Sequence, residues 1–138
     1  MPDPRHRRPN HVEIDSESVA RRVASLRRRL GRRIRIFAAL KAEGYGFGTL
    51  PMAQAALAGG ADALALIDRA EALVLREARI DVPILLYAGS PIDAEAVAAA
   101  EARRLTLTVL SERQIDFVAL QARSDAVAGG GQRASDIQ

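Results

Sequence analysis

Cysteine is absent from this chain of 138 residues, and aromatic side chains make up only 4% of it. Without cysteine the protein can form neither disulfides nor cysteine metal sites, and it is compatible with a reducing compartment. The scarcity of aromatic side chains leaves alanine, valine, leucine and isoleucine to build the core. Because hydrophobic residues amount to 49%, the chain is long and apolar enough for one domain with a real core.

Lysine is almost absent as well. Of the 20 lysine and arginine residues, Lys41 is the single lysine. A surface that needs only positive charge can use arginine, but the guanidinium group stays protonated and cannot act as a nucleophilic amine. Lys41 also follows an apolar run, residues 34–40, and precedes a glycine-spaced segment, residues 42–48. The isolated lysine therefore indicates chemistry that needs an amine, with a Schiff base as the first candidate.

The sequence contains no run with the length of a membrane-spanning helix. Its N-terminal run of proline and arginine has no apolar stretch after it, so it does not resemble a signal peptide. His6 and His11 lie in or near this run, and paired residues at metal-ligand spacing are absent from the sequence. We therefore expect a cytoplasmic protein that has no membrane partner and no metal site.

Positive charge is concentrated in the first part of the chain. Residues 1–40 hold eleven arginines against four carboxylates, whereas residues 41–138 are net acidic. Clustered arginine can bind nucleic acid, or it can form the solvated side of an amphipathic helix. Apolar residues recur at helical spacing between positions 19 and 30, and the arginines there fall largely outside that stripe. The pattern favours a solvated helix, and we do not expect nucleic acid as a partner.

Short apolar segments alternate with amphipathic segments along the chain. We predict strands over residues 11–15, 34–41, 61–67, 83–88 and 105–110. We predict helices over residues 16–30, 50–58, 70–78, 93–103 and 112–122. This alternation is typical of βα units around a parallel sheet, which places the chain in the α/β class. The similar spacing of the units favours a (β/α) barrel, although an open sheet stays an alternative.

Four βα units follow the first helix, which is half of an eightfold barrel, and such barrels usually need about 250 residues. We therefore divide the chain into three parts. Residues 1–10 form a disordered basic arm, and residues 11–122 form a partial barrel domain. Residues 123–138, which contain three consecutive glycines and no apolar periodicity, form a disordered tail.

The segment Leu-Lys-Ala-Glu-Gly-Tyr-Gly-Phe-Gly, residues 40–48, resembles the pyridoxal-phosphate motif of the alanine racemases. In that motif a strand ends in Val-Lys-Ala-Asx-Ala-Tyr-Gly-His-Gly. The similarity continues in one register from about residue 11 to residue 120. It includes the segments at 12–15, 61–65, 71–78, 83–86 and 105–109. The resemblance implies the N-terminal (β/α) barrel of that family, with about half of the barrel present.

The resemblance also implies roles for three residues. Lys41 matches the catalytic lysine that binds pyridoxal 5'-phosphate covalently and moves a proton on one face of the substrate. Tyr45 matches the tyrosine that lies against the cofactor and hydrogen-bonds near its phosphate. Tyr87 falls where the family commonly has a leucine lining the cofactor, so its phenol contacts the ring or fills space. The implied activity is the interconversion of L-alanine and D-alanine by a homodimer. D-alanine is a cell-wall precursor.

The sequence departs from the family pattern at several points. Phe47 replaces the usual histidine and Gly44 the usual alanine. The family's Asp-Thr-Gly-Met-Gly-Arg segment has no counterpart in these 138 residues, and neither has the β-domain that supplies the base on the opposite face. We therefore expect this chain to be inactive alone. Another type III pyridoxal-phosphate enzyme and a non-catalytic relic or binding fragment are the alternatives, but the Lys-Ala-x-x-Tyr-Gly-x-Gly pattern favours the racemase.

Overall fold

A computed structural model of the chain describes residues 13–87 and 89–130. Helices and strands alternate along these residues as the sequence predicts. In chain order they are α1 (Ser16–Leu30), β1 (Phe37–Ala39), α2 (Ala42–Tyr45), α3 (Thr49–Ala58), β2 (Ala63–Leu66), α4 (Arg69–Glu77), β3 (Ile84–Leu86), α5 (Ala94–Arg103), β4 (Leu105–Leu107) and α6 (Glu112–Gly130). None of the helices within the described residues is long and apolar enough to cross a membrane.

The four strands form one parallel sheet in the order β1-β2-β3-β4. Each strand pairs with its neighbour in the sequence, and helices or turns form the crossovers. The predicted α/β class with a parallel sheet is confirmed. The order is also that of a partial barrel, because a barrel adds each new strand beside the preceding one.

One face of the sheet is packed against helices. The register aligns Leu64 with Ile84 and Leu66 with Leu86, and these four side chains are completely buried. They form the core together with residues of α3 and α4. The burial of apolar surface in this cluster stabilises the fold.

The opposite face of the sheet is open. Side chains alternate between the two faces of a strand, so the residues between the core positions point away from the helices. Phe37 is 45% exposed, Ala39 and Thr106 are exposed, and Leu85 is half-buried. We call these four residues the open face. In a closed (β/α) barrel the corresponding face lines the interior.

Two arginines join the loops at the amino-terminal edge of the sheet. Arg27, in the last turn of α1, donates hydrogen bonds to the carbonyl groups of Gly31, Ile34 and Gly60 and to the carboxylate of Asp62. Arg76, in the last turn of α4, donates to the carbonyl groups of Ile80, Val82, Arg103 and Arg104. The planar guanidinium group can satisfy several acceptors at once, which an ammonium group cannot do in the same geometry.

The ends of several elements differ from the prediction. Residues 13–15 are not a strand, because Asp15 caps α1 by accepting a hydrogen bond from the backbone N–H of Ser18 at 2.8 Å. The four paired strands are three or four residues long, shorter than predicted. Residues 11 and 12 and Ala88, which we assigned to strands, lie outside the described residues.

The last helix is longer than predicted. α6 continues to Gly130, eight residues beyond its predicted end at residue 122. The helix therefore extends over residues 123–130, which we had assigned to the tail. Alanine occurs three times between positions 122 and 128. Because alanine has a high helix propensity, it favours a helix even where no apolar stripe is present. The rest of that tail and the predicted basic arm lie outside the described residues.

The fold should become less stable at acid pH because Asp62 and Asp93 become protonated. The backbone N–H of Ile36 and the side chain of Arg27 lower the pKa of Asp62. The backbone N–H of Ala96 and the side chain of Arg69 lower the pKa of Asp93. Carboxylates with a lowered pKa stabilise the fold above the ordinary aspartate pKa, and this contribution is lost as the pH falls through the folded-state value.

We therefore expect the urea midpoint to fall as the pH is lowered below about 4. Replacing Asp62 and Asp93 together by asparagine should flatten this dependence. Replacing Asp116, an exposed carboxylate on α6, is the matched control and should leave the dependence in place. An equally steep acid dependence in the Asp62→Asn, Asp93→Asn double variant would show that other groups cause it.

Candidate functional site

Lys41 lies at the carboxyl-terminal edge of the sheet, two residues after the end of β1. The preceding residue, Leu40, is buried, and its backbone N–H donates to the carbonyl group of Ala65 at 2.8 Å. This bond extends the β1-β2 pairing to the residue before the lysine. The side chain of Lys41 is exposed. Its backbone is therefore anchored to the sheet while its amine is open to a ligand.

The sheet register brings Tyr87 to the same level as Lys41. Extending the pairing of Ala39 with Ala65 by two residues matches Lys41 to Ile67. Extending the next two pairings by one residue matches Ile67 to Tyr87 and Tyr87 to Thr108. The backbone N–H of Tyr87 donates to Leu66 and that of Thr108 to Leu86, both at 3.0 Å, which supports the extension of the last two pairings. In the first pairing the hydrogen bonds reach Leu40, and the match of Lys41 to Ile67 extrapolates the register by one residue more.

These positions continue the open face and not the core face, since they are separated from Ala39 and Leu85 by two residues. Neighbouring strands lie about 4.8 Å apart, so the backbones of Lys41 and Tyr87 are separated by about 10 Å. A ligand bound at Lys41 on this face would extend towards Tyr87. Thr108 continues the same row, and the sequence did not single it out.

The segment that follows Lys41 is one turn of left-handed helix. The φ angles are 51° at Ala42, 54° at Glu43, 62° at Gly44 and 61° at Tyr45. The carbonyl group of Lys41 accepts the first hydrogen bond of the turn, from the backbone N–H of Tyr45 at 2.8 Å. Three of these residues are not glycine, and each costs about 1–2 kcal/mol in this conformation. Strained backbone of this kind is concentrated at functional sites.

Tyr45 is placed by this turn. Its backbone lies one hydrogen-bonded turn beyond Lys41, and its side chain is 56% exposed. Phe47, which stands where the family has histidine, is also exposed. The structure therefore brings Tyr45 near Lys41 along the chain and Tyr87 level with it across the sheet.

The left-handed turn is held by a residue of another element. One carboxylate oxygen of Glu71 on α4 accepts from the backbone N–H of Glu43 at 2.9 Å. The other oxygen accepts from the hydroxyl group of Thr49 at 3.0 Å. Hydrogen bonds to charged groups contribute about 1.5–3 kcal/mol each, so two of them can offset strain of the size estimated above. Sequence reasoning did not identify Glu71 or Thr49.

Gly44, the departure from the family's alanine, is buried under α3. A Cβ atom at this position would lie 3.0 Å from Cγ of Met52 and 3.3 Å from the backbone nitrogen of Thr49. The space that a methyl group would need is therefore occupied by Met52. Gly44 also has a positive φ angle, which an L side chain rarely adopts. We infer that glycine at 44 and methionine at 52 fit each other.

Replacing Gly44 by alanine should therefore cost more in the native protein than in a variant with a smaller residue at position 52. We expect Gly44→Ala to destabilise the fold by about 2 kcal/mol, from the backbone conformation and the overlap with Met52. The Met52→Gly background removes both Cγ and Cβ of residue 52, which would lie 3.0 Å and 3.2 Å from the new methyl group, and there the same change should cost only about 1 kcal/mol. Urea unfolding of the four proteins measures this coupling. Equal costs in both backgrounds would contradict the fit between the two residues.

Among the described residues, no group of three or more histidine, aspartate or glutamate side chains could hold a metal ion. The candidate site offers the amine of Lys41, the phenols of Tyr45 and Tyr87 and the hydroxyl group of Thr108. A primary amine can bond to a carbonyl carbon and can also carry a proton. Phenols can stack on a planar ring or donate hydrogen bonds.

The family model of the alanine racemase N-terminal domain matches residues 14–131 of the chain. The alanine racemase of Synechocystis sp. is 43% identical over 89 residues, which cover 63% of this chain and 24% of that protein. The solved alanine racemase from E. faecalis has a TM-score of 0.73 at 32% identity, over 78% of this chain and 29% of that one. The alanine racemase from Bacillus anthracis, solved with bound L-Ala-P, has a TM-score of 0.69 at 31% identity, over 79% and 29% respectively.

These similarities cover most of the chain but a small part of the relatives. The chain spans 24–30% of the length of the first three curated relatives that it matches. The sheet described above therefore corresponds to a part of a longer protein in each of these relatives.

Proposed function

The chain belongs to the alanine racemase N-terminal domain family, and from this membership we propose that it carries the cofactor-binding lysine of an alanine racemase. The proposed cofactor is pyridoxal 5'-phosphate and the proposed substrate is alanine. The observation that carries the proposal is the position of Lys41. The single lysine of the sequence is exposed at the carboxyl-terminal edge of a parallel sheet, next to a strained turn. Chemistry in (β/α) barrels is built at that edge.

The side chains at this edge fit the cofactor. An aldehyde needs a primary amine, and Lys41 offers one that the fold leaves open. A planar ring needs an apolar or aromatic wall, and Tyr87 lies on the same face at the same level. We propose that Lys41 holds the cofactor and that Tyr45 and Tyr87 contact it. All three assignments rest on the family pattern together with this arrangement.

Pyridoxal phosphate, when bound, supplies an electron sink that makes the α-proton of an amino acid acidic. The role of Lys41 is then to hold or move a proton at its Nζ atom on one face of the substrate. The anchored backbone of Leu40 and the left-handed turn fix the point on the sheet edge from which the side chain of Lys41 starts. A fixed starting point lowers the barrier, because less ordering is left for the reacting groups.

Racemisation also needs a base on the opposite face of the α-carbon. The family pattern assigns no residue of these 138 to that role. We therefore propose that the chain contributes one half of the proton-transfer machinery and is inactive when tested alone. By the same resemblance we expect a homodimer in the cytoplasm. A direct assay of D-alanine formation by the 138-residue chain checks this, and measurable turnover that depends on Lys41 would contradict it.

A segment exchange tests the proposed function. The part of this chain that superimposes on the solved alanine racemase from E. faecalis, 78% of its length, would replace the matching segment of that protein. We expect the chimera to interconvert L- and D-alanine and to lose this activity when Lys41 is replaced by arginine. Circular dichroism and gel filtration show whether the chimera is folded. A folded chimera without racemase activity would contradict the proposal.

A further inference from the structure

Glu71 connects α4 to the turn that follows Lys41. The residue stands at the third position of α4 and is half-buried. Its two carboxylate oxygens accept from Glu43 and Thr49, which precede it in the sequence by 28 and 22 residues. Both contacts therefore lie outside its own helix.

The usual local role of a glutamate at this position is not the one that the structure shows. Aspartate at the N-cap and glutamate three residues later form the spacing of a capping box, in which the glutamate bonds back to the N-cap backbone. Asp68 does cap α4, through the backbone N–H of Ala70 at 2.7 Å. Glu71 instead directs both oxygens at the segment between Lys41 and α3.

One partner of Glu71 lies near the start of the glycine-spaced segment, residues 42–48, and the other directly follows it. Glu43 is inside the left-handed turn, and Thr49 is the first residue of α3. The N-cap of α3 is Gly48, which has no side chain to cap the helix. The carboxylate of Glu71 therefore fixes the two ends of one short segment and also places negative charge near the amino terminus of α3, where it is favourable.

The turn is coupled to the lysine through the backbone. Its first acceptor is the carbonyl group of Lys41, and the residue before the lysine is fixed by the sheet. If the turn opened, Lys41 would keep its anchor at Leu40 and lose the one on its other side. The direction of the amine would then vary.

We propose that Glu71 is a positioning residue for Lys41: it holds the left-handed turn closed and thereby fixes the direction of the lysine amine. The part of this inference that concerns cofactor attachment rests on the proposed function. The part that concerns the turn does not, and the two parts can be tested separately.

Hydrogen exchange of backbone amides tests the first part. We expect Glu71→Ala to accelerate exchange at Glu43, Tyr45 and Gly46 by at least about tenfold, since it removes two charge-assisted hydrogen bonds. The core amide of Leu64 reports on global stability and serves as the reference. Glu77→Ala is the matched control, because Glu77 is an exposed carboxylate on the same helix. Unchanged exchange in the turn of Glu71→Ala would overturn the inference.

The conservative variant separates geometry from charge. The side-chain oxygen of Glu71→Gln can still accept from Glu43, and its amide group can donate to the hydroxyl of Thr49. We expect its exchange to stay close to that of the wild type. Thr49→Val removes the second bond alone and should accelerate exchange less than Glu71→Ala does. Exchange in Glu71→Gln as fast as in Glu71→Ala would show that the hydrogen-bond geometry is not what holds the turn.

The second part is read from the attachment of pyridoxal phosphate to Lys41. We expect the rate of borohydride-trapped labelling at Lys41, relative to the N-terminal amine, to fall about tenfold in Glu71→Ala and to be restored in Glu71→Gln. A turn that loosens without any change in this ratio would overturn the positioning role. Absence of labelling at Lys41 in the wild type would be a failure of the proposed function, and the exchange measurements would still decide whether Glu71 holds the turn.

Discussion

The variant Lys41→Arg should lose covalent binding of pyridoxal phosphate completely. Arginine keeps the positive charge and a similar length, but its guanidinium group stays protonated and does not bond to an aldehyde. The sequence has no other lysine that could take over the role. We expect the visible absorption change on titration with the cofactor to disappear, apart from the slow reaction of the N-terminal amine.

This loss should occur without a loss of the fold. Lys41 is exposed and its anchor is a backbone hydrogen bond of the preceding residue, so the substitution removes no core contact. We expect the free energy of unfolding to change by less than about 0.5 kcal/mol, as is usual for surface positions. If the folded variant bound the cofactor as well as the wild type does, the amine of Lys41 would not be the attachment point.

Among the seven glycines compared in the described part of the chain, Gly59 is the one at which an added methyl group should destabilise the fold most. Gly59 follows α3 at the contact with α1, and a Cβ atom there would lie 2.5 Å from the carbonyl oxygen of Ala20 and 2.6 Å from Cβ of Val23. One of these neighbours is backbone, so α1 itself has to move. We expect a loss of about 3 kcal/mol in the free energy of unfolding, the upper part of the range for overpacking. The midpoint of thermal unfolding should then fall by roughly 10 °C.

Gly46→Ala is the control for this prediction. Gly46 ends α2 in a left-handed conformation with a φ angle of 83°, and nothing lies within 4 Å of the position of its Cβ atom. Alanine there should cost about 1 kcal/mol through the backbone conformation alone. Gly59 has an ordinary helical conformation, so its larger effect would come from the contact with α1. A Gly59→Ala variant as stable as Gly46→Ala would show that α1 can move away at little cost.

The order of helices and strands could be read from the sequence because it depends on local apolar periodicity. The ends of the strands could not be read from the sequence, because a strand extends only as far as its backbone pairs with a neighbouring strand. Residues 34–36, for example, are apolar and charged in alternation, yet β1 begins at Phe37 where Ala63 lies opposite. The predicted end of α6 differs for another reason: the prediction relied on an apolar stripe, and residues 123–130 continue the helix without one.

The candidate site was partly accessible from the sequence. Lys41 stands out because it is the only lysine, and the Lys-Ala-x-x-Tyr pattern adds Tyr45. The position of Tyr87 at the same level as Lys41 follows from the strand register, which the sequence does not specify. Glu71 could not be found, since its spacing from Asp68 predicts a capping box within α4 and its actual partner Glu43 is distant in the chain.

The assignment of Lys41 as the attachment point is tested most directly by peptide mapping. The purified chain would be incubated with pyridoxal phosphate, reduced with borohydride and digested, and the modified residue identified by mass spectrometry. We predict a pyridoxyl group on Lys41 in preference to the N-terminal amine of Met1, which is the internal reference for nonspecific reaction. Modification of Met1 alone, or of neither amine, would contradict the assignment.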